Sequence, residues 1–161
     1  MRRVKLAFLG AVLLAVAALV VVKVILPRFE SEERKILRVV DRAIEAGRER
    51  HVANLLALAD PSYSDGIISD KKELSDILSY MYLMYKRVSV EVVDPPTAIW
   101  SEARPDEGEA TLRIRVLLGT SMEAEPKDDT VQTARGTDFW RVRFRKDPES
   151  GKWLIVSTAS E

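Results

Sequence analysis

Residues 137–158 read TDFWRVRFRKDPESGKWLIVST, and the period of two within them decides the fold. In 137–145, Trp140, Val142 and Phe144 alternate with Phe139, Arg141 and Arg143, as in a strand with one apolar face. The turn residues Asp147-Pro148-Glu149-Ser150-Gly151 follow, and 153–158 supplies a second strand, which predicts a closing hairpin. Working upstream, 110–118 sets Leu112, Ile114, Val116 and Leu118 against Arg113 and Arg115. Val88, Val90 and Val92 alternate with Ser89 and Glu91, and Asp94-Pro95-Pro96 predicts the end of that strand, because proline donates no ladder hydrogen bond. A short strand is expected over 97–102, and the polar segment 123–134 is expected to be a mobile hairpin tip.

Before the strands the period is helical. Over 30–48, Ile36, Leu37, Val40, Ala43 and Ile44 share a face, Ser31 is a plausible cap, Glu32 and Glu33 suit the positive end of the dipole, and Gly47 offers a stop. A second helix is expected over 51–59, closed by Asp60-Pro61. The third begins at Asp70, whose carboxylate can cap while Glu73 reaches back, and presents Leu74, Ile77, Leu78, Met81 and Tyr85. Three helices followed by antiparallel strands define an α+β fold with helices on one face of a sheet.

Ahead of this domain, residues 6–26 read LAFLGAVLLAVAALVVVKVIL, 21 residues with one charge. At about 1.5 Å per residue they span roughly 30 Å, the hydrocarbon thickness of a bilayer. A cleaved signal peptide would have a shorter apolar stretch and a small-x-small cleavage site, and VVVKVILPRF offers only bulky residues there. A retained single-pass signal-anchor is therefore expected over 1–28, with the domain over 29–161. Arg2, Arg3 and Lys5 place the N-terminus in the cytoplasm and the domain on the far side of a bacterial inner membrane. Ala7, Ala11 and Ala15 form a small-xxx-small row that could pair two such helices into a homo-oligomer.

Charge and composition narrow the chemistry. The 25 basic and 25 acidic residues balance, but residues 1–28 hold five cations and no acid, leaving 20 basic against 25 acidic groups in the rest. An acidic soluble part is poorly suited to nucleic acid, which is recognised through clustered Lys and Arg. The absence of cysteine removes disulfides, thiolate metal sites, a cysteine nucleophile and a cysteine-linked lipid, and a single histidine, His51, rules out a histidine-rich metal site. No cofactor or metal is expected.

The stretch AIEAGRERHVANLLALADPSYSDGIISDKKELSDIL resembles the opening of bacterial nuclear transport factor 2-like domains, with Tyr63, Ser64, Asp65 and Gly66 matching a turn of that family. The ending FWRVRFRKDPESGKWLIVSTAS resembles the family's last hairpin. The resemblance covers residues 30–161 and implies a cone with a pocket between the concave sheet face and the helices. It also implies a choice among isomerases, dehydratases, cyclases, binding proteins and inert scaffolds. Enzymes of the ketosteroid isomerase kind need a carboxylate base and acidic oxyanion donors in that pocket. Here the helix over 30–48 has no tyrosine and the strand over 110–118 has no acid.

Tyr63, Asp65, Trp100 and Phe139 are the candidate ligand-binding residues, although an aspartate in Ser-Asp-Gly more often holds its own turn. His51, near a helix start, more often lies at a surface than acts as a base. Tyr80, Met81, Tyr82, Met84 and Tyr85 form a dense patch expected mostly in the core. Arg113, Arg115, Arg141 and Arg143, with Arg145, share a sheet face and are candidates for an acidic partner or anionic headgroups, unless acids on adjacent strands neutralise them. The leading expectation is a non-catalytic interaction module tethered to the membrane, with a membrane protein or a second copy as partner. The alternative is a small-molecule-binding or isomerase- or dehydratase-like cone for an apolar ligand.

Overall fold

The computed structural model describes residues 30–119, 131–133 and 138–160. The expected membrane span at 6–26 lies outside the described residues, and among those described no helix is long and apolar enough to cross a membrane. Three helices come first, α1 (Glu32–Arg48), α2 (Val52–Leu58) and α3 (Lys71–Met84), then strands β1 (Arg87–Ser101), β2 (Arg104–Gly119), β3 (Val131–Thr133), β4 (Asp138–Lys146) and β5 (Trp153–Ser160). The strands form one antiparallel sheet in the order β1-β2-β4-β5, with β3 pairing the end of β2.

The sheet departs from the expected strand boundaries in several places, and β2 begins at Arg104, ahead of the expected start at Ala110. Asp94-Pro95-Pro96 does not end a strand; β1 runs through it, with irregular register between Val92 and Thr97. The prolines are tolerated because β1 is an edge strand whose outward amides need no partner. The segment expected to be a polar tip includes Val131–Thr133, which pair with Leu117–Gly119 as β3. Elsewhere the alternation is realised. Ala110, Leu112, Val142 and Phe144 turn inward and are buried against Ile36, Val39 and Val40 of α1.

Two features set how closely α1 approaches the sheet. Ile36 is fully buried, and a Cβ on Gly108 would stand 2.4 Å from its Cδ1 and 3.4 Å from the Trp153 ring. Glycine at 108 is therefore required by contact. At the start of α1, Trp153 Nε1 donates to Glu32 Oε2 at 2.7 Å, while Lys35 and Lys146 reach Glu32 Oε1 at 2.8 and 3.2 Å. Burial opposes the charge on Glu32, but these donors outweigh it and hold the carboxyl below its ordinary range.

The far end of α1 does not stop at Gly47. The helix continues to Arg48, and the left-handed residue is Arg50, at φ 60°. Arg50 is held there by its own side chain, which donates to the Lys86 carbonyl at 2.8 Å and to the carbonyl of Tyr82. Tyr82 in turn donates to the Gly47 carbonyl at 3.2 Å, so the C-terminal end of α3 is tied to that of α1. Asp70 caps α3 by accepting from the Glu73 amide at 2.7 Å. The reciprocal bond differs from the expected box by one residue, since Glu73 accepts from the amide and hydroxyl of Ser69.

Gly108→Val should overpack the contact with Ile36 and destabilise the chain by about 1–3 kcal/mol. Urea unfolding of the full chain in detergent, followed by tryptophan fluorescence, measures this directly. An unchanged midpoint would show that α1 can shift off the sheet without cost.

Candidate functional site

Between α1 and the inward face of the sheet lies a cavity of about 200 Å³. Val40, Ala43 and Ile44 of α1 form one wall, and Leu112, Trp140 and Thr158 are among the sheet residues opposite. Among the described residues that line it, Thr158 brings the only hydroxyl and none is ionisable. A general acid or base must reach its substrate proton within hydrogen-bond distance, and none of the described lining residues is such a group. Its volume is also below the roughly 300–1,000 Å³ typical of small-molecule pockets.

Polar side chains collect instead along the outer edge of β5, where 59–64 runs beside the strand. Ala59 bridges Ile155, and the amides of Asp60 and Ser64 donate to the carbonyls of Ile155 and Val156 at 2.8 and 3.0 Å. Tyr63 is buried and donates to Asp65 Oδ2 at 2.6 Å, with Thr158 Oγ1 3.1 Å from its hydroxyl and 3.2 Å from the same carboxylate oxygen. The other oxygen, Oδ1, accepts from the amides of Ile67 and Ile68 at 2.8 and 2.7 Å. Both oxygens of Asp65 are thus engaged in holding the turn. Burial alone would raise its pKa, yet these donors keep it below the ordinary value. For Tyr63, burial and the neighbouring carboxylate act together and push the phenol up to about 12.

A second carboxylate, Asp60, escapes a reading from sequence because Asp-Pro looks like a helix end. It is buried, and its Oδ1 accepts from the Ser62 amide at 2.8 Å, the Ser62 hydroxyl at 2.7 Å and Arg145 at 2.6 Å. These bonds outweigh its burial and keep the carboxyl ionised to unusually low pH. Arg145 therefore belongs to a clamp between β4 and the loop, not to a basic stripe.

Three of the other stripe arginines are paired across strands. Arg113 lies 3.5 Å from Asp94, Arg115 3.4 Å from Glu91, and Arg141 3.5 Å from Glu109. Arg143, opposite Glu109 in register, makes no ion pair among the described residues. Phe139 is exposed on this outer face beneath the Arg113 guanidinium, and its inward neighbour Trp140 is the residue at the cavity. Trp100 is half-buried near the β1–β2 turn and donates to the Pro105 carbonyl at 3.1 Å. His51 is exposed, its Nδ1 3.3 Å from the Glu49 carboxylate and 3.2 Å from the Asn54 side-chain amide, and it lies away from the lining of the inner cavity.

The tyrosine and methionine patch is only partly core. Tyr82 is buried, but Tyr80, Leu83 and Met84 of α3 are 63, 79 and 52 % exposed. Of the face that periodicity assigns to α3, Leu74, Leu78, Met81 and Tyr85 are half-buried but Ile77 is exposed, so it joins Tyr80, Leu83 and Met84 on the solvent side.

No protein-family model matches the sequence, and no curated protein matches it. Solved structures show the architecture. A nuclear transport factor 2-like protein of unknown function from Pseudomonas putida superimposes with a TM-score of 0.62 at 14 % identity, over 80 % of this chain and 84 % of the other. A candidate dehydratase of the same family from Streptomyces avermitilis gives 0.61 at 12 %, over 80 and 94 %. A Bdellovibrio bacteriovorus structure gives 0.61 at 11 %, and this chain spans 40 % of that protein's length. The described domain thus has the nuclear transport factor 2-like fold.

The polar rim makes a pH-dependent contribution of known sign. Asp65, with a lowered folded pKa, stabilises the fold above its ordinary 3.8, and that contribution is lost as pH falls through the lower folded value. Tyr63, with a raised pKa, contributes below 10, and its contribution is lost as pH climbs toward 12. Tyr63→Phe should cost about 0.5–1.5 kcal/mol at pH 7. Melting temperatures from pH 7 to 12 should show the gap between the two proteins closing above pH 10; a constant gap would deny the coupling.

Proposed function

We propose that this chain is a non-catalytic interaction module, tethered by residues 6–26 to a bacterial inner membrane and working on its non-cytoplasmic side. The observation that carries the reading is a pairing of opposites. The described residues lining the inner cavity include no ionisable group, while α3 turns Ile77, Tyr80, Leu83 and Met84 toward solvent. Large side chains at i, i+3 and i+7 make a continuous helical stripe, and exposed apolar stripes of this kind mark docking surfaces. Burying them against a partner would return about 25 cal/mol per Å² of apolar surface.

The tether supports the reading from sequence. A span with Arg2, Arg3 and Lys5 before it holds the domain at the bilayer, where confinement raises its effective concentration toward other membrane proteins. The paired arginines Arg113, Arg115 and Arg141 make the outer sheet face less suited to an acidic partner than α3 is to an apolar one. The rival reading, a cone for an apolar small molecule, draws on the apolar lining of the cavity and on the dehydratase-like neighbour. Its difficulty is size, since about 200 Å³ accommodates only a very small ligand.

A photo-crosslinking residue at Leu83 should capture one discrete partner in cells, and Tyr80→Asp with Leu83 labelled should abolish the adduct. Tyr80→Ala itself should change stability by less than about 0.5 kcal/mol, as expected of a solvated site. Capture from Arg113 or Arg141 positions but not from Leu83 would sink the α3 surface. A C-terminal reporter active only in the cytoplasm should stay silent; activity there would overturn the orientation.

A further inference from the structure

The exposed side of α3 is ordered by more than hydrophobicity. Asp76, Tyr80 and Leu83 recur at intervals of four and three, the spacing of a seam between two paired helices, and Ile77 and Met84 flank them. Leu83 and Tyr80 are the most exposed large apolar residues of the helix. The opposite side is committed to the fold. Tyr82 is buried with its hydroxyl on the Gly47 carbonyl, and Met81 and Tyr85 pack with it, so α3 presents its seam on a fixed support.

Charge runs along this side with a direction. Asp76 is exposed toward the N-terminal half, and Lys86 and Arg87 are exposed just past the C-terminal end. Neither Asp76 nor Lys86 makes an ion pair among the described residues. The other charges of the helix do not alter the pattern. Lys71 is bonded to the Ala59 carbonyl, Glu73 to Ser69, and Lys72 stands a turn before Asp76, further from the apolar residues.

We propose that this side of α3 pairs with the same side of a second copy of the chain, antiparallel, about a two-fold axis between Tyr80 and Leu83. This names the partner for the docking role proposed above and rests on that reading. Tyr80 of each copy then lies over Leu83 of the other, and Asp76 of each meets the Lys86–Arg87 end of the other, as an isologous contact requires. A parallel pair would instead set Asp76 against Asp76 and Lys86 against Lys86, and it would align the helix dipoles. A bilayer is a poorer occupant, because Asp76, in line with the seam, would face anionic headgroups. One 14-residue helix offers far less than the roughly 800 Å² per partner of a stable soluble complex. The pair therefore depends on the proposed tether, which confines both copies to one membrane and raises their effective concentration.

The chain has no cysteine, so single introduced thiols report proximity in native membranes. Leu83→Cys, beside the axis, should form a disulfide-linked dimer on mild copper–phenanthroline oxidation, while Glu149→Cys in the β4–β5 turn should stay monomeric. Asp76→Cys, remote from the axis, should not link to itself but should link to a co-expressed Lys86→Cys chain. In the Leu83→Cys background, Asp76→Lys should lower the dimer yield roughly fivefold, since it makes two charge pairs per dimer repulsive. Adding Lys86→Asp to that chain should restore the yield, and circular dichroism melts of these variants should match the parent. Self-linkage of Asp76→Cys, or a yield indifferent to Asp76→Lys, would overturn the antiparallel pair. A Leu83 photo-adduct whose mass is not twice that of the chain, with no Leu83→Cys disulfide, would overturn the second copy as partner and leave the docking surface standing. Neither adduct nor disulfide would remove both.

Discussion

Everything else in the domain depends on how near α1 comes to the sheet, and that distance is fixed by one isoleucine lying over one glycine. Ile36 is fully buried where β2 carries no side chain, so the helix can settle onto Ala110, Leu112 and Phe144. A larger residue at 108 would lift the start of α1 and separate Trp153 from Glu32, whose 2.7 Å bond closes the same end of the helix. Dispersion and hydrophobic burial set the depth, and the Glu32 hydrogen bonds set the position along the axis.

That closeness explains why the inner cavity is small and apolar. Side chains of α1 fill the mouth of the curved sheet near Gly108, and the remaining hole lies further along, between Ile44 and Trp140. A carboxylate placed there would lose its water and gain few donors, because the described lining residues other than Thr158 are hydrophobic. Two acids of this fold sit instead where backbone amides meet them. Asp60 and Asp65 both lie in the loop along β5, each accepting several bonds, and each is held ionised by them. Their chemistry is used to attach the loop to the sheet.

The elements with clean periodicity were readable from sequence. The alternation in 110–118 and 137–145 identified the buried and outward residues of β2 and β4, because one face of each strand meets a helix and the other meets water. Asp94-Pro95-Pro96 misled because local chemistry cannot say whether a strand is at an edge, and at an edge proline is harmless. The α3 residues misled for a related reason: Tyr80 and Met84 look like core when counted in sequence, but α3 packs only one side against the fold. Tyr63 and Asp65 were found as a pair, and their partner Thr158, far along the chain, was not visible until β5 was paired with the loop. Asp60 with Arg145 was hidden likewise, since 85 residues separate them.

The outward arginines also carry information about strand register. Arg113 with Asp94, Arg115 with Glu91 and Arg141 with Glu109 are cross-strand pairs, each exposed and each weak taken singly. A slip of one residue would place arginines against inward leucines and valines, so the three pairs jointly disfavour alternative registers more than they stabilise the native one. Arg143 breaks the series. It stands opposite an acid of the right charge, yet that acid is drawn toward Arg141, one strand row away. Closing the Arg143–Glu109 pair would satisfy the same cross-strand rule as its neighbours. Arg143 lines an outer concavity with Ile99 and Glu109, and the acid across from it is committed to Arg141.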